Sequence, residues 1–223
     1  MLEQLISLTN TDDFYSNWHL TMEQLLYVPD TETLKFIVQT VKDYSDDIEA
    51  TRKFWEIECT EVAVNRITQR GFVPYMHINV FDEHPLLWNY QSTRYLTLRG
   101  KPKDVSQLMG ELFLQHVTVC GNWLDFNHLF RAVYNLLPKE GKTLIEMPER
   151  LISKYKGVFD KHEITFTEEP GQSGETDLKV LFFGNKDISP NDCNFYQPYV
   201  IAKHFSAKLA APNSGFASAG ATK

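Results

Sequence analysis

No stretch of this chain approaches the roughly 18 apolar residues that a membrane-spanning helix needs. Its first residues, MLEQLISLTN, carry neither a basic leader nor a long apolar run. N-x-[ST] acceptor sites are absent, and the three cysteines, Cys59, Cys120 and Cys193, are far apart with no C-x-x-C pair. These absences speak against export, membrane insertion and a disulfide framework, and they lead to the expectation of a cytoplasmic protein with reduced thiols. Catalytic and cofactor signatures are missing as well. There is no G-x-x-x-x-G-K-[ST] phosphate loop, no G-x-G-x-x-G turn and no G-x-S-x-G elbow, and no second histidine follows His162-Glu163 in the pattern of a zinc protease helix. No cofactor and no metal are therefore expected, although catalytic groups gathered from distant segments would leave no such local trace.

What is present suffices for a core. The 223 residues are 43% hydrophobic and 13% aromatic, and a chain of this length buries roughly 70% of its unfolded surface. Net charge is −7, unevenly placed: residues 1–63 hold thirteen Asp and Glu against four Lys and Arg, a net of −9, which leaves +2 for the rest. An acidic third repels phosphate backbones, so direct nucleic-acid binding is not expected, whereas a protein partner with a basic surface suits it. The same carboxylates also serve simply as the solvated faces of amphipathic helices.

In the first third, Phe14, Trp18, Met22, Leu25 and Leu26 recur at helical spacing up to Pro29. Leu34, Ile37, Val38 and Val41 make a second helical stripe. A third helix is expected from Asp46 or Asp47 to Arg70, with EIECTEVAV also readable as extended chain. Alternation then replaces the helical period: Met76, Ile78 and Val80 against Tyr75, His77 and Asn79, followed by a second strand, RYLTLRG. Helices are expected from Asp104 to Gly121, from Trp123 to before Pro138, and over MPERLISKYKGVF. HEITFTE, DLKVLFFGN and QPYVIAKHFSAKL read as a C-terminal meander, and the small, polar residues 210–223 as a disordered tail. The fold expected is α+β, with N-terminal and central helices packed on a mainly antiparallel sheet. It forms one domain over 1–209, comprising an acidic helical part (1–71) and a mixed part (72–209).

Two site readings follow. The first is a noncatalytic, regulatory protein-binding domain that presents an acidic helical face around Asp43, Asp46 and Asp47, with Trp88 as an aromatic contact. The second is a small-molecule site or enzyme at the middle strands. If those strands pair, His77 and Asn79 share a face with Tyr95, Thr97 and Arg99, where Arg99 clamps an anionic ligand. His77 or His84, beside Asp82 and Glu83, would act as acid or base. The bland alternatives are a wet sheet face and a turn in which Leu86, Leu87 and Trp88 plug the core. His116, Cys120, Asp125 and His128 resemble a ligand set only loosely, because Gly121 interrupts the helix and the spacing fits no zinc pattern. Cys120 as a small buried hydrophobe and Asn122 or Asp125 as a helix cap account for the same residues. The turn DISPND (187–192) lacks calcium-loop spacing, and Phe195, Tyr196, Tyr199 and Phe205 suit core anchors as well as a contact patch.

Overall fold

The computed structural model describes residues 1–43, 47–67, 71–73, 77–121, 123–175, 177–184 and 198–211. The elements begin with helices α1 (Leu2–Thr9) and α2 (Asp12–Asn17), strands β1 (Trp18–Val28) and β2 (Thr33–Lys42), and the one-turn α3 (Ile48–Thr51). Strands β3 (Lys53–Asn65), β4 (Gly71–Val73) and β5 (His77–Phe81) follow. Next come α4 (Pro85–Trp88), β6 (Thr93–Arg99), α5 (Val105–Cys120) and α6 (Phe126–Glu140). The chain then forms β7 (Lys142–Pro148), α7 (Glu149–Lys161), β8 (Thr165–Pro170), β9 (Lys179–Gly184) and β10 (Tyr199–Ala210). The fold is α+β, as expected, but with two antiparallel sheets in place of one. Among the described residues no helix is long and apolar enough to cross a membrane.

Over the span expected to form one domain, the described chain packs as two compact units. The first comprises residues 1–82 with β9 and β10; the second is the contiguous stretch 83–177. The chain leaves the first unit's sheet after Phe81 and rejoins it at β9, where Phe81 lies opposite Val180. The second unit is thus an insertion between two neighbouring strands, a connection that leaves the host sheet's pairing intact. Its own ends run together: Gly171 N donates to Thr93 O at 3.1 Å and Glu175 N to Tyr90 O at 2.7 Å. A β-carbon at Gly174 would collide with the backbone of Gln91, so this close approach requires glycine.

The first unit corrects the helical reading of residues 1–71. Only α1, α2 and the single turn of α3 are helical; the stretches expected as three helices are β1, β2 and β3. In β1 the register slips between Met22 and Gln24, a bulge at Glu23. Leu20, Met22 and Leu25 pack into the core, so a step of two is followed by a step of three, which imitates a helix in sequence. β2 buries both faces, Leu34, Phe36 and Val38 on one and Ile37 and Val41 on the other, and so loses the alternation that marks a strand. In β3, Trp55, Ile57 and Cys59 alternate inward, and the extended reading of EIECTEVAV holds.

The seven described strands of this unit lie in the order β4-β1-β2-β3-β10-β9-β5. β5 stands at one edge, and its open side is answered by the end of α1. Thr9 Oγ1 accepts from Ile78 N at 3.1 Å and Asn10 Nδ2 donates to Ile78 O at 2.9 Å. Two side chains thereby supply the hydrogen bonds of a missing strand.

The second unit has sheet order β7-β6-β8 with α5, α6 and α7 on one face. Leu96, Leu98, Ile145 and Met147 from the sheet meet Leu108, Leu112, Phe130, Val133, Leu151 and Phe159 from the helices. Asp104 caps α5, accepting from Gln107 N at 3.0 Å. α6 runs past the stop expected at Pro138, which sits in its last turn, and ends at Gly141, φ +68°. The meander expected at the C-terminus is not formed, because β8 pairs with β6 while β9 pairs with β10 and β5. DISPND, Cys193, Phe195, Tyr196 and residues 212–223 lie outside the described residues.

Replacing Thr9 by Val leaves Ile78 N–H buried without an acceptor. The expected loss is about 1–3 kcal/mol, read as a lower denaturant midpoint, and an unchanged midpoint would contradict the edge-covering role.

Candidate functional site

The middle strands do not pair. β5 lies against β9 in one sheet and β6 between β7 and β8 in the other, so the shared face of His77, Asn79, Tyr95, Thr97 and Arg99 is not formed. The two alternating segments are separated by a helical turn and belong to separate cores, which a local period cannot reveal. His77 is fully buried, its ring stacked with Tyr15 at 6.1 Å. Tyr75 and Met76 lie outside the described residues.

The acidic loop serves as a connector. Asp82 and Glu83 are exposed, and Glu83 pairs with Arg150 at 3.2 Å. His84 caps α4, its Nδ1 accepting from Leu86 N at 3.2 Å, with its ring edge-on to Trp123 at 4.9 Å. Burial lowers its pKa to about 4, so the ring is neutral at physiological pH and a weak base there. Leu87 is buried and Trp88 packs against the second unit's core.

The acidic helical face is likewise not formed. Asp43 follows β2 and pairs with His19 Nδ1 at 2.7 Å, Asp47 caps α3 by accepting from Ala50 N at 3.1 Å, and Asp46 lies outside the described residues. Further along, Glu58 pairs with Lys35, Glu61 with Lys203 and Glu56 with Lys208, at 2.8, 2.9 and 3.1 Å. Two of these lysines come from β10, remote in sequence, so the local charge tally overstates the free acidity.

His116, Cys120 and Asp125 have structural surroundings. His116 is buried, with Nδ1 2.7 Å from Tyr155 Oη and Nε2 2.9 Å from Leu124 O. Cys120 Sγ approaches the same ring at 3.4 Å, and burial pushes its thiol up to about 11. Asp125 caps α6 through Asn127 N, His128 is exposed on α6, and Asn122 lies outside the described residues. Among the described residues no cluster of three or more His, Cys, Asp or Glu has the arrangement of a metal site.

One cleft has the features of a binding site, and the sequence reading missed it. It measures about 620 Å³ and lies between α7 and β8, within the usual range of about 300–1,000 Å³ for ligand sites. α7 contributes Glu149, Ile152, Ser153, Lys156 and Asp160; β8 contributes Thr165, Phe166 and Glu168. β8 is an edge strand. No described side chain or backbone group bonds to its side away from β6, in contrast to the covered edge of β5. Lys156 pairs with Asp160 at 2.6 Å and Glu149 with Arg94 at 3.0 Å, while Glu168 makes no ion pair among the described residues. The lining therefore keeps unneutralised negative charge.

α7 is a firmly held wall for this cleft. Tyr155 bonds His116 of α5, Phe159 meets Phe166 of β8 edge-on at 6.0 Å, and Glu111 of α5 contacts Lys161 at 2.7 Å and His162 at 3.2 Å. The Lys161 hydrogen bond, followed by that from Gln107, lowers the Glu111 pKa to about 2, so the tie stays charged at neutral pH. The sequence signal, visible in retrospect, is an amphipathic helix followed within three residues by the edge-like strand TFTEEP.

No family model, curated protein or solved structure matches the chain.

Buried His84 and His116 both have lowered pKa values, against 6.5 for an ordinary histidine. Between about pH 6.5 and 4 the unfolded chain binds more protons than the folded one, so stability is complete above that window and falls as pH drops through it. The expected NMR titration midpoint of His84 is about 4; a midpoint near 6.5 would contradict the burial.

Proposed function

We propose that this protein is a noncatalytic binding domain whose second unit captures an extended, basic segment of a partner protein, adding it as a strand to the open edge of β8. The observation that carries this reading is the cleft itself: a strand edge that no described residue covers faces a fixed helix across a groove lined by Glu168, which makes no ion pair among the described residues. Strand addition draws affinity from backbone hydrogen bonds and specificity from alternating side-chain pockets. Glu168 and Glu169 follow one another along the edge on opposite faces, and Pro170 closes it. Two copies meeting edge to edge would oppose like charges, which discourages self-pairing while favouring a basic strand. The partner chemistry matches the basic protein expected from composition, but the capturing acids are in the second unit rather than in residues 1–63.

The test is titration with a fluorescent, end-blocked peptide of alternating threonine and lysine around one leucine. Binding should weaken with added salt, and Glu168→Lys should reduce affinity about tenfold. Asp43→Lys, in the first unit, should leave it unchanged. Equal affinity in Glu168→Lys would exclude the cleft as the site.

A second reading, an anion site around Arg99, is favoured by a different observation. Arg99 stands opposite Lys142 on the sheet face away from the helices, and the stem of Lys101 lies over Gly141. None of the three makes an ion pair among the described residues. Like charges placed directly across a ladder disfavour pairing, and a bound phosphate or carboxylate would relieve that repulsion. In this reading inorganic pyrophosphate raises the melting temperature and Arg99→Ala removes the rise; no rise in the unaltered protein would dismiss it.

A further inference from the structure

The walls of the cleft specify more than net charge. The three-residue turn 162–164 sends β8 back along α7, with Asp160 and Thr165 at one end of the cleft and Glu149 and Glu168 at the other. A helix advances about 1.5 Å per residue and a strand about 3.4 Å. Glu168, about 10 Å from the start of β8, therefore falls alongside Ser153 and Ile152, about 10 to 12 Å back from Asp160, with Glu149 beyond it. Phe166 and Glu168 are two residues apart and share one face of the strand. The partly buried Phe166 and the buried Ile152 form the apolar floor; Lys156 and Asp160 satisfy each other and Glu149 is held by Arg94. Among the described residues, Glu168 is the one charged lining group without an ion pair.

We infer that the captured segment is patterned, with one aliphatic side chain seated over Ile152 and Phe166 and one lysine or arginine two residues away, against Glu168. This rests on the strand-capture reading and adds the residues that select the partner. A strand added to β8 keeps its pleat in phase with it, so side chains two positions apart enter the cleft side by side, while adjacent ones point to opposite faces. A segment with its basic and aliphatic residues adjacent can satisfy the floor or the carboxylate, but not both. Glu168 is thus a specificity-determining residue, and the partner is a protein segment with a basic-x-aliphatic pattern in one direction or the other.

The experiment uses the full chain and three end-blocked peptides of identical composition, one leucine and one lysine in a threonine background. In two of them lysine and leucine are separated by one threonine, in opposite orders; in the third they are adjacent. One of the spaced peptides should bind about three- to fivefold more tightly than the adjacent one, the scale of a partly exposed ion pair. Glu168→Gln should erase that advantage while still binding all three peptides, and it should melt as the unaltered protein does. Equal binding of all three peptides, or an advantage that survives Glu168→Gln, overturns the pattern and leaves strand capture standing. No binding by any peptide overturns strand capture and the pattern together.

Discussion

A strand inside a sheet uses both sides of its backbone, whereas a strand at an edge uses one, and the polar groups on the other side must find partners elsewhere. This requirement organises both units. In the first, the hydroxyl of Thr9 and the amide of Asn10 meet the N–H and C=O of Ile78, so the end of α1 completes the outer strand. In the second, no described group does the same for β8, and α7 stands beside it across an open cleft. The contrast within one chain gives the open edge its meaning. At β8 no described group covers the edge, which carries Glu168 and Glu169 instead.

The cleft also depends on how α7 is fixed. A groove between a helix and a strand recognises a segment only if its walls keep their spacing. Tyr155 and His116 form a buried hydrogen bond between α7 and α5, Phe159 sits against Phe166, and the Glu111 carboxylate binds the end of α7. These contacts are buried or charge-assisted: two hold α7 to α5, and Phe159 holds it to β8 beside the cleft. Of the buried histidines that resembled acid–base or metal candidates, His116 contributes instead to this rigidity and His84 to the capping of α4, while His77 stacks on Tyr15 in the first unit.

The sequence conveyed the second unit far better than the first. Asp104, Gly121 and Asp125 mark helix ends through local bonds, and α5, α6 and α7 are long enough for their apolar stripes to be unambiguous. The first unit misled because its strands break the simplest rule. A bulge at Glu23 inserts a step of three, and β2 buries both faces, so strand patterns take on helical spacing. The acidity of residues 1–63 was legible as composition but not as surface, since the lysines answering Glu56 and Glu61 come from β10. The cleft was illegible for a related reason. That β8 is an edge strand follows only from the whole sheet order, and without it Glu149, Asp160 and Glu168 look like any solvated face. Arg99, read as an anion clamp beside His77, stands instead opposite Lys142 and makes no ion pair among the described residues.

The most direct measurement is amide hydrogen exchange along residues 165–169, in the free protein and with the lysine–leucine–threonine peptide bound. In the free protein the amides directed toward β6 should be protected and the alternate amides, directed into the cleft, should exchange at rates near those of unstructured chain. The peptide should slow the second set selectively. Uniform protection of all these amides in the free protein would mean that the edge of β8 is already occupied, and the account of an open capturing strand would be wrong.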